Sequence, residues 1–328
     1  MTVEGAPAAG APSTGPGAST HAVASTGPVT VVPPARNWIA ERRARSAVLL
    51  TLPTWVFLVP MFFLPLGVGI YLSFYDKTLG FPMDPTFVGL DNYRTDVLSP
   101  VFGEALVVTL LILALGLALQ FPLGMALALL LHQQMRGRGI FRTAILVPML
   151  LTPVAVGLMW RFMYNPELGI INWWLGVLGL PGVDWLGAPW PALFAVTFVD
   201  SWQALSLVVL MLTAGLASLP TSPEEAARVD GASGWQVFRH VTLPALMPVI
   251  LVTLMIRVID GFKIFDVVFI LTRGGPGTAT QTVSMLDYNV AFTFLATSRA
   301  SAIGVVLMLI TLPIYFLWRR VSTLAERS

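Results

Sequence analysis

The sequence predicts an all-α integral membrane protein with six transmembrane helices. Hydrophobic residues make up 56% of the 328 residues and charged residues only 11%, whereas soluble proteins average about 25% charged residues. Six apolar stretches reach the roughly 20 residues that a helix needs to cross the hydrocarbon core of a bilayer. Lysine and arginine collect in alternate connections between these stretches, which is typical of multi-spanning membrane proteins.

Composition also excludes several functions. The chain has no cysteine, which excludes structural disulfides, thiolate metal sites and a cysteine nucleophile. Its three histidines, His21, His132 and His240, do not have the spacing of a metal site. No phosphate-binding Gly-x-x-x-x-Gly-Lys-Ser/Thr motif and no nucleophile-and-base set is present. We therefore predict no catalytic residue, no metal, no cofactor bound by this chain and, at a net charge of only +2, no nucleic-acid partner.

The two ends are predicted to flank one membrane domain. Residues 1–45 are expected to be a disordered cytoplasmic tail, because their first part is rich in Ala, Pro, Gly, Ser and Thr and nearly free of charge. No basic region followed by a short apolar segment opens the chain, so the first span is expected to serve as an uncleaved anchor. Residues 46–320 form the predicted membrane domain, and residues 321–328 form a short cytoplasmic tail.

The predicted spans cover residues 47–74, 104–131, 141–164, 191–219, 244–271 and 301–318. Of the 19 Lys and Arg residues, 12 lie on one side of the membrane in this arrangement. By the positive-inside rule, that side is cytoplasmic, and so are both termini and the loop 220–243. The outward segment 165–190 carries tryptophans that we interpret as interfacial anchors: Trp173, Trp174, Trp185 and Trp190.

The loop 220–243 has the signals of two short helices. Ser222 is a suitable N-cap, Pro223 suits the first helical position, and Glu225 completes a predicted capping box with Ser222. Gly231 can adopt the left-handed conformation that ends a helix. A second helix is predicted over residues 233–241, before Leu243-Pro244 opens the next span. By helix physics alone, this loop could simply connect two spans.

The whole loop pattern resembles the signature loop of binding-protein-dependent ABC importer permeases. Glu-Ala-Ala is followed by three residues, Gly, nine residues, an aliphatic residue, one residue and Leu-Pro. In that family of type I ABC importer permease folds, the loop forms a coupling helix that sits in a groove of the ATPase subunit. The residues that the resemblance assigns to ATPase coupling are Glu224, Glu225, Ala226, Ala227, Asp230, Gly231, Leu243 and Pro244. Glu225 is the expected ionic contact, and Ala226 and Ala227 the close-packing surface.

Other stretches are similar to carbohydrate-type importers of the maltose and glycerol-3-phosphate class, over residues 46–320. They include the outer-loop element at 87–93, the segments 139–142 and 146–148, and the stretches 262–266 and 271–276. The resemblance is to the first-type permease of each pair, which implies a heterodimer with a second permease subunit. Arg299 departs from the small or apolar residue expected at its position.

The resemblance also implies the other components of the transporter. Two ATP-binding cassette subunits, or a dimer of one, would hold ATP and Mg²⁺ on the inside. A solute-binding protein would deliver a sugar or related polyol from outside. The chain itself would lie in the lipid bilayer of the bacterial plasma (inner) membrane as a multi-pass subunit without catalytic activity.

Ionisable residues inside a span are costly unless they pair or line water, so they are candidates for a solute path. Four of them, Arg257, Asp260, Lys263 and Asp266, follow one another at a spacing of three in the predicted fifth span. This spacing also permits a self-neutralising ladder along one helix. A sugar would need such polar groups together with aromatic faces. The path candidates are Trp160, Tyr164, Asp200, Trp202, Gln203, Arg257, Asp260, Phe262, Lys263, Phe265 and Asp266.

A second hypothesis is a secondary transporter or channel that uses Asp260, Lys263 and Asp266 as a proton or ion relay. Such folds often contain inverted repeats, and none is evident in the sequence. The signature loop has no role in that hypothesis. The sequence does not identify the solute.

Overall fold

The structure is a computed structural model that describes residues 38–78, 84–133 and 137–325. Residues 1–37 of the predicted tail lie outside the described residues. The described ranges contain twelve α-helices and one short antiparallel hairpin, in which β1 (Tyr75–Asp76) pairs with β2 (Thr86–Phe87). The helices are α1 (Trp38–Leu72), α2 (Pro100–His132), α3 (Arg138–Leu150), α4 (Pro153–Met163), α5 (Ile170–Val177), α6 (Pro189–Ser218), α7 (Ser222–Val229), α8 (Gly234–Val237), α9 (Leu243–Phe262), α10 (Asp266–Leu271), α11 (Val283–Tyr288) and α12 (Thr297–Ala325).

Within the described residues, five helical segments are long and apolar enough to cross a membrane, and a sixth results if the bent pair α3 and α4 counts as one span. This agrees with the six predicted apolar stretches. Two helices extend beyond the predicted spans 47–74 and 301–318. Helix α1 already begins at Trp38, inside the segment 1–45 predicted to be disordered, and α12 continues to Ala325, inside the predicted tail 321–328.

The third predicted span, 141–164, is not one straight helix. Helices α3 and α4 meet at a bend of 99°, with Leu151 and Thr152 in extended conformations. Pro153 disfavours a helical conformation at the preceding residue and suits the first turn of the next helix. The Thr152 hydroxyl accepts a hydrogen bond from the Ala155 amide. Because the apolar residues continue through the bend, the hydropathy pattern did not predict the break before Pro153.

The fifth predicted span, 244–271, was wrong at both ends. Helix α8 continues through a π-helical segment, Phe238–Thr242, into α9, so Gly234–Phe262 is one continuous helix and Leu243-Pro244 lies within it. Because Pro244 has no N–H to donate to the preceding turn, a widened turn before it is favourable. The helix ends at Phe262, and α10 is a separate short helix that begins at Asp266.

Small residues let the helices of the bundle pack closely. Helix α2 packs along α6, and a Cβ atom at Gly124 would lie only 2.7 Å from Cγ1 of the fully buried Val208. In membranes, helix association depends on this close backbone approach, since lipid tails are as apolar as the side chains. The fit between α2 and α6 positions the polar residues described below.

We predict that Gly124→Ala destabilises the protein by about 1–3 kcal/mol, because the added methyl group overpacks the contact with Val208. Thermal unfolding in detergent, followed by tryptophan fluorescence, measures this effect. Gly103→Ala is the matched control, since it lies in the same helix with no heavy atom within 4 Å of the added methyl group. Equal melting temperatures for the two variants would contradict the close α2–α6 contact.

Candidate functional site

A buried arginine joins three helices in the interior of the bundle. The side chain of Arg257 in α9 is only 8% exposed. Its Nη2 atom lies 3.0 Å from Oδ2 of Asp200 in α6, and its Nε atom donates to Oε1 of Gln120 in α2 at 2.9 Å. The amide nitrogen of Gln120 in turn donates to the Ser201 hydroxyl at 3.2 Å. Every charged group of this cluster therefore has a partner from another helix.

The predicted ladder along one helix is only partly correct. Asp260 lies 4.0 Å from Nη1 of Arg257 and 3.4 Å from Nζ of Lys263. Lys263 follows the end of α9 and is 67% exposed, while Asp266 is exposed at the start of α10. The main partner of Arg257 is Asp200, 57 residues away in sequence. Asp266 does not continue a helical ladder, because the helix has already ended.

Most of the other path candidates lie in aromatic clusters. The ring of Trp160 contacts those of Tyr164 and Trp202, with centroid distances of 5.5 and 5.6 Å. Phe265 packs against Phe269 and Tyr288. Trp160 and Tyr164 are buried in the apolar core, and they line a cavity rather than the charged cluster.

Gln203 and Phe262 have structural contacts. The Gln203 amide donates to the carbonyl of Leu151 at 3.0 Å, which satisfies a backbone acceptor at the bend between α3 and α4. Phe262 is buried, and its carbonyl accepts a hydrogen bond from the Ser284 hydroxyl. The structure therefore brings Asp200, Arg257, Asp260 and Lys263 together. The remaining candidates lie outside this charged cluster.

The loop 220–243 begins with a short exposed helix, α7, followed by a tight turn. Gly231 has a φ of +85°, as predicted for the residue that ends the helix, and a side chain there would be strained. The predicted capping box between Ser222 and Glu225 is wrong. Thr221 is the N-cap, in a helical conformation and without a side-chain cap. A capping box forms instead at α8, between Ser233 and Gln236.

The two glutamates of α7 have different environments. Oε1 of Glu224 accepts a hydrogen bond of 2.7 Å from the hydroxyl of Thr242, which ties α7 to the long helix 234–262. Glu225 and Ala226 are exposed, and Val229 is 87% exposed. The loop thus has one side bonded to its own chain and one side free to contact another protein. Thr242 was not selected from the sequence, because its partner is 18 residues away.

Two further polar groups were missed by sequence reasoning. Asp96 accepts two hydrogen bonds of 2.7 Å from Arg299, which joins the segment before α2 to the first turn of α12. This pair explains the unusual Arg299. Asp287 in α11 has a buried Oδ1 atom without a hydrogen-bond partner among the described residues. Burial raises the pKa of Asp287 to about 6.

No group of three or more histidine or acidic residues in the described part of the chain could hold a metal ion.

Comparison with solved structures identifies the fold. A bacterial ABC transporter that imports the acidic polysaccharide alginate contains a chain with the same fold, at a TM-score of 0.75 and 24% sequence identity. The match covers 88% of this chain and 99% of that one. The fold is that of the membrane-spanning permease subunit of an ABC importer.

The chain belongs to the family described as binding-protein-dependent transport system inner membrane component, whose sequence profile matches residues 120–327. It is 39% identical to a probable ABC transporter permease protein, y4oQ, of Sinorhizobium fredii, over 87% of this chain and 94% of the relative. It is 36% identical to the trehalose/maltose transport system permease protein MalF of Thermococcus litoralis, over 76% and 84%. It is 35% identical to the trehalose transport system permease protein SugA of Mycobacterium tuberculosis, over 82% and 85%.

We predict that Arg257→Met lowers the free energy of unfolding by about 3–5 kcal/mol, because it leaves the mostly buried Asp200 carboxylate unpaired. Lys263→Met is the matched control, with an expected loss of at most about 1 kcal/mol for an exposed pair. Adding Asp200→Leu to Arg257→Met is expected to restore part of the lost stability. Unfolding in detergent measures all three variants. Equal losses for the Arg257 and Lys263 variants would refute the assignment.

We predict that Asp287→Asn stabilises the protein above pH 6. The folded-state pKa of about 6 exceeds the ordinary value of 3.8, so the folded wild type binds the proton more tightly than the unfolded chain does. Its stability therefore falls as the pH rises from about 4 to 6. The variant is expected to gain about 3 kcal/mol at pH 7.5 and little at pH 4. Unfolding curves at the two pH values test this, with Asp266→Asn as the exposed control; a gain independent of pH would contradict it.

Proposed function

We propose that this chain is the permease subunit of an ATP-driven sugar importer in the bacterial plasma membrane, with both termini in the cytoplasm. The observation that carries the proposal is the loop 220–243. Its helix α7 exposes Glu225, Ala226 and Val229. Glu224 holds α7 against the helix 234–262 through the hydrogen bond from Thr242, and the left-handed Gly231 forms the turn after α7. An exposed valine and alanine beside a carboxylate suit a surface that docks into a groove lined with a basic residue.

Energy coupling would pass from α7 into the bundle. ATP and Mg²⁺ would bind to two ATPase subunits, or a dimer of one, and Glu225 would pair with a basic residue of the ATPase. Displacement of α7 would act on Thr242 through its hydrogen bond with Glu224. Thr242 lies in the continuous helix 234–262, which also carries Arg257. Because Arg257 is paired with Asp200, helix α6 would move together with α9.

The proposed cargo is a sugar or a related polyol. Two relatives named above are trehalose or trehalose/maltose permeases, and trehalose and maltose are the first solutes to test. Asp260 and Lys263 are partly and largely exposed, respectively, so they retain hydrogen-bonding capacity for hydroxyl groups beside the buried Arg257–Asp200 pair. The Phe265 and Tyr288 rings would offer apolar faces. These groups form our proposed part of the solute path.

The proposed assembly contains a second, different permease subunit and an external solute-binding protein. The second permease would complete the path, since the side chains of Lys263 and Asp266 are exposed in this chain. The first-type character of segments 87–93 and 271–276 favours a heterodimer. The binding protein would deliver the solute to the side opposite α7.

We predict that Glu225→Lys lowers uptake of radiolabelled trehalose or maltose at least tenfold in cells, because it places a positive charge against a basic residue of the ATPase. The amount of protein in the membrane is expected to stay unchanged, since Glu225 is exposed and has no role in folding the bundle. Immunoblotting of membranes and initial uptake rates provide the two measurements.

Glu167→Lys is the matched control, because it makes the same charge reversal in an exposed connection after α4. Uptake is expected to continue in this variant. Normal uptake in Glu225→Lys would disprove the coupling role. Uptake of amino acids in place of sugars by the wild type would overturn the proposed substrate class while leaving the coupling role intact.

A further inference from the structure

A groove of about 460 Å³ lies beside the C-terminal end of α7. Its lining residues come from the last turn of α7, from the turn at Gly231 and from the first turns of the helix 234–262. Glu225, the expected ionic contact with the ATPase, does not line it. The groove is therefore a feature of the loop 220–243 that is distinct from the exposed face of α7.

The groove contains an unpaired carboxylate. Asp230 is exposed and is the C-cap residue of α7. Within the described residues, no basic side chain forms an ion pair with it. The C-terminal end of a helix carries a partial negative charge, so a carboxylate at this position is unfavourable. A cation from another molecule would remove this unfavourable interaction.

His240 supplies a second hydrogen-bond acceptor to the groove. Its Nδ1 atom lies 3.0 Å from the carbonyl of Gln236. Because a carbonyl oxygen can only accept, Nδ1 is the donor, and Nε2 of the neutral ring is left as an acceptor. Oε1 of Gln236 is already used, since it accepts a hydrogen bond from the Ser233 amide. The acceptors at Asp230 and His240 both suit an occupant that donates hydrogen bonds.

The remaining walls favour a long basic side chain over an anion. Ala227 and Val241 form an apolar part of the groove, and lysine and arginine lay their aliphatic stems on such surfaces while their charged heads stay in polar surroundings. A phosphate or carboxylate would be repelled by Asp230. The backbone amides of Gly231 and Ala232, which could bind an anion, already donate to carbonyls of α7.

The groove is close to the surface of α7 that we propose to dock onto the ATPase. Asp230 follows Glu225 by five residues, which is about 7.5 Å along a helix at 1.5 Å per residue. Val229, the residue before Asp230, is exposed on α7. A protein that covers Glu225 and Val229 therefore also reaches the groove.

We propose that this groove receives a basic side chain of the ATPase subunit, whose charged group pairs with Asp230 and whose aliphatic part lies against Ala227 and Val241. The proposal rests on the proposed function, because that function places the ATPase on α7. Asp230 gives the ATPase a second ionic contact in addition to the one at Glu225. Contacts near both ends of α7 fix its orientation on the ATPase, which a single contact would not do.

The dissociation rate of a fluorescently labelled ATPase from the intact transporter in lipid nanodiscs tests the proposal, with excess unlabelled ATPase as the chase. Asp230→Asn is expected to speed dissociation about tenfold, because the charge pair is lost. Asp230→Glu keeps the charge and is expected to stay within about threefold of the wild type. Asp91→Asn, at an exposed aspartate before α2, is the matched control and is expected to have no effect.

Salt separates a charge pair from a structural role of Asp230. In about 1 M NaCl, the difference between the wild type and Asp230→Asn is expected to disappear, because salt screens the attraction between the paired charges. A difference of equal size at low and high salt would contradict the charge pair. Dissociation of Asp230→Asn at the wild-type rate in low salt would overturn the proposal.

Photo-crosslinking identifies the occupant of the groove. The chain has no cysteine, so Ala232→Cys provides a single attachment point on this chain for benzophenone-maleimide, at a residue that lines the groove. Irradiation of the intact transporter is expected to link this position to an ATPase peptide that contains an arginine or a lysine, as identified by mass spectrometry. Crosslinks only to the second permease subunit or to lipid would overturn the proposal.

The outcomes also separate this proposal from the proposed function. If Glu225→Lys lowers uptake while Asp230→Asn dissociates at the wild-type rate, the groove has no role in docking and the coupling role of α7 stands. If no ATPase binds to the wild-type transporter, both proposals are wrong.

Discussion

The burial of Arg257 in a membrane-spanning bundle is the constraint on which the rest of the structure depends. A charged side chain inside the bilayer is costly unless protein groups pair with it. Asp200 and Gln120 provide these partners from two other helices. Because three helices must meet for the charge to be satisfied, the cluster fixes how α2, α6 and α9 pack.

This constraint connects the interior of the bundle to the loop 220–243. Helices α6 and α9 are joined in sequence by α7 and α8, and they are joined in space by the Asp200–Arg257 pair. The bond between Glu224 and Thr242 closes the loop at its base. The helix from Gly234 to Phe262 has no break between the loop and Arg257. A force on α7 would therefore be transmitted to the charged cluster instead of being absorbed by a flexible joint.

Features that depend on local composition could be predicted from the sequence. Contacts between residues that are far apart in the chain could not. The length of the apolar stretches predicted the spans, and the conformational freedom of glycine predicted the left-handed Gly231. The bend before Pro153 was missed because the apolar residues continue through it. The pairing of Asp96 with Arg299 joins residues 203 positions apart, which no local pattern reveals. Trp160 was selected as a sugar-path residue for its aromatic ring, and the structure places it in the apolar core beside a cavity.

In the proposed mechanism, energy enters through the loop 220–243, and the intramembrane charges serve packing and solute contact. Transport by the intact complex, purified through a tag on this chain and reconstituted in vesicles with its binding protein, tests this mechanism. We expect sugar uptake that requires ATP on the α7 side and continues when the proton gradient is collapsed. Uptake that is driven by a proton gradient in the absence of ATP would contradict the account.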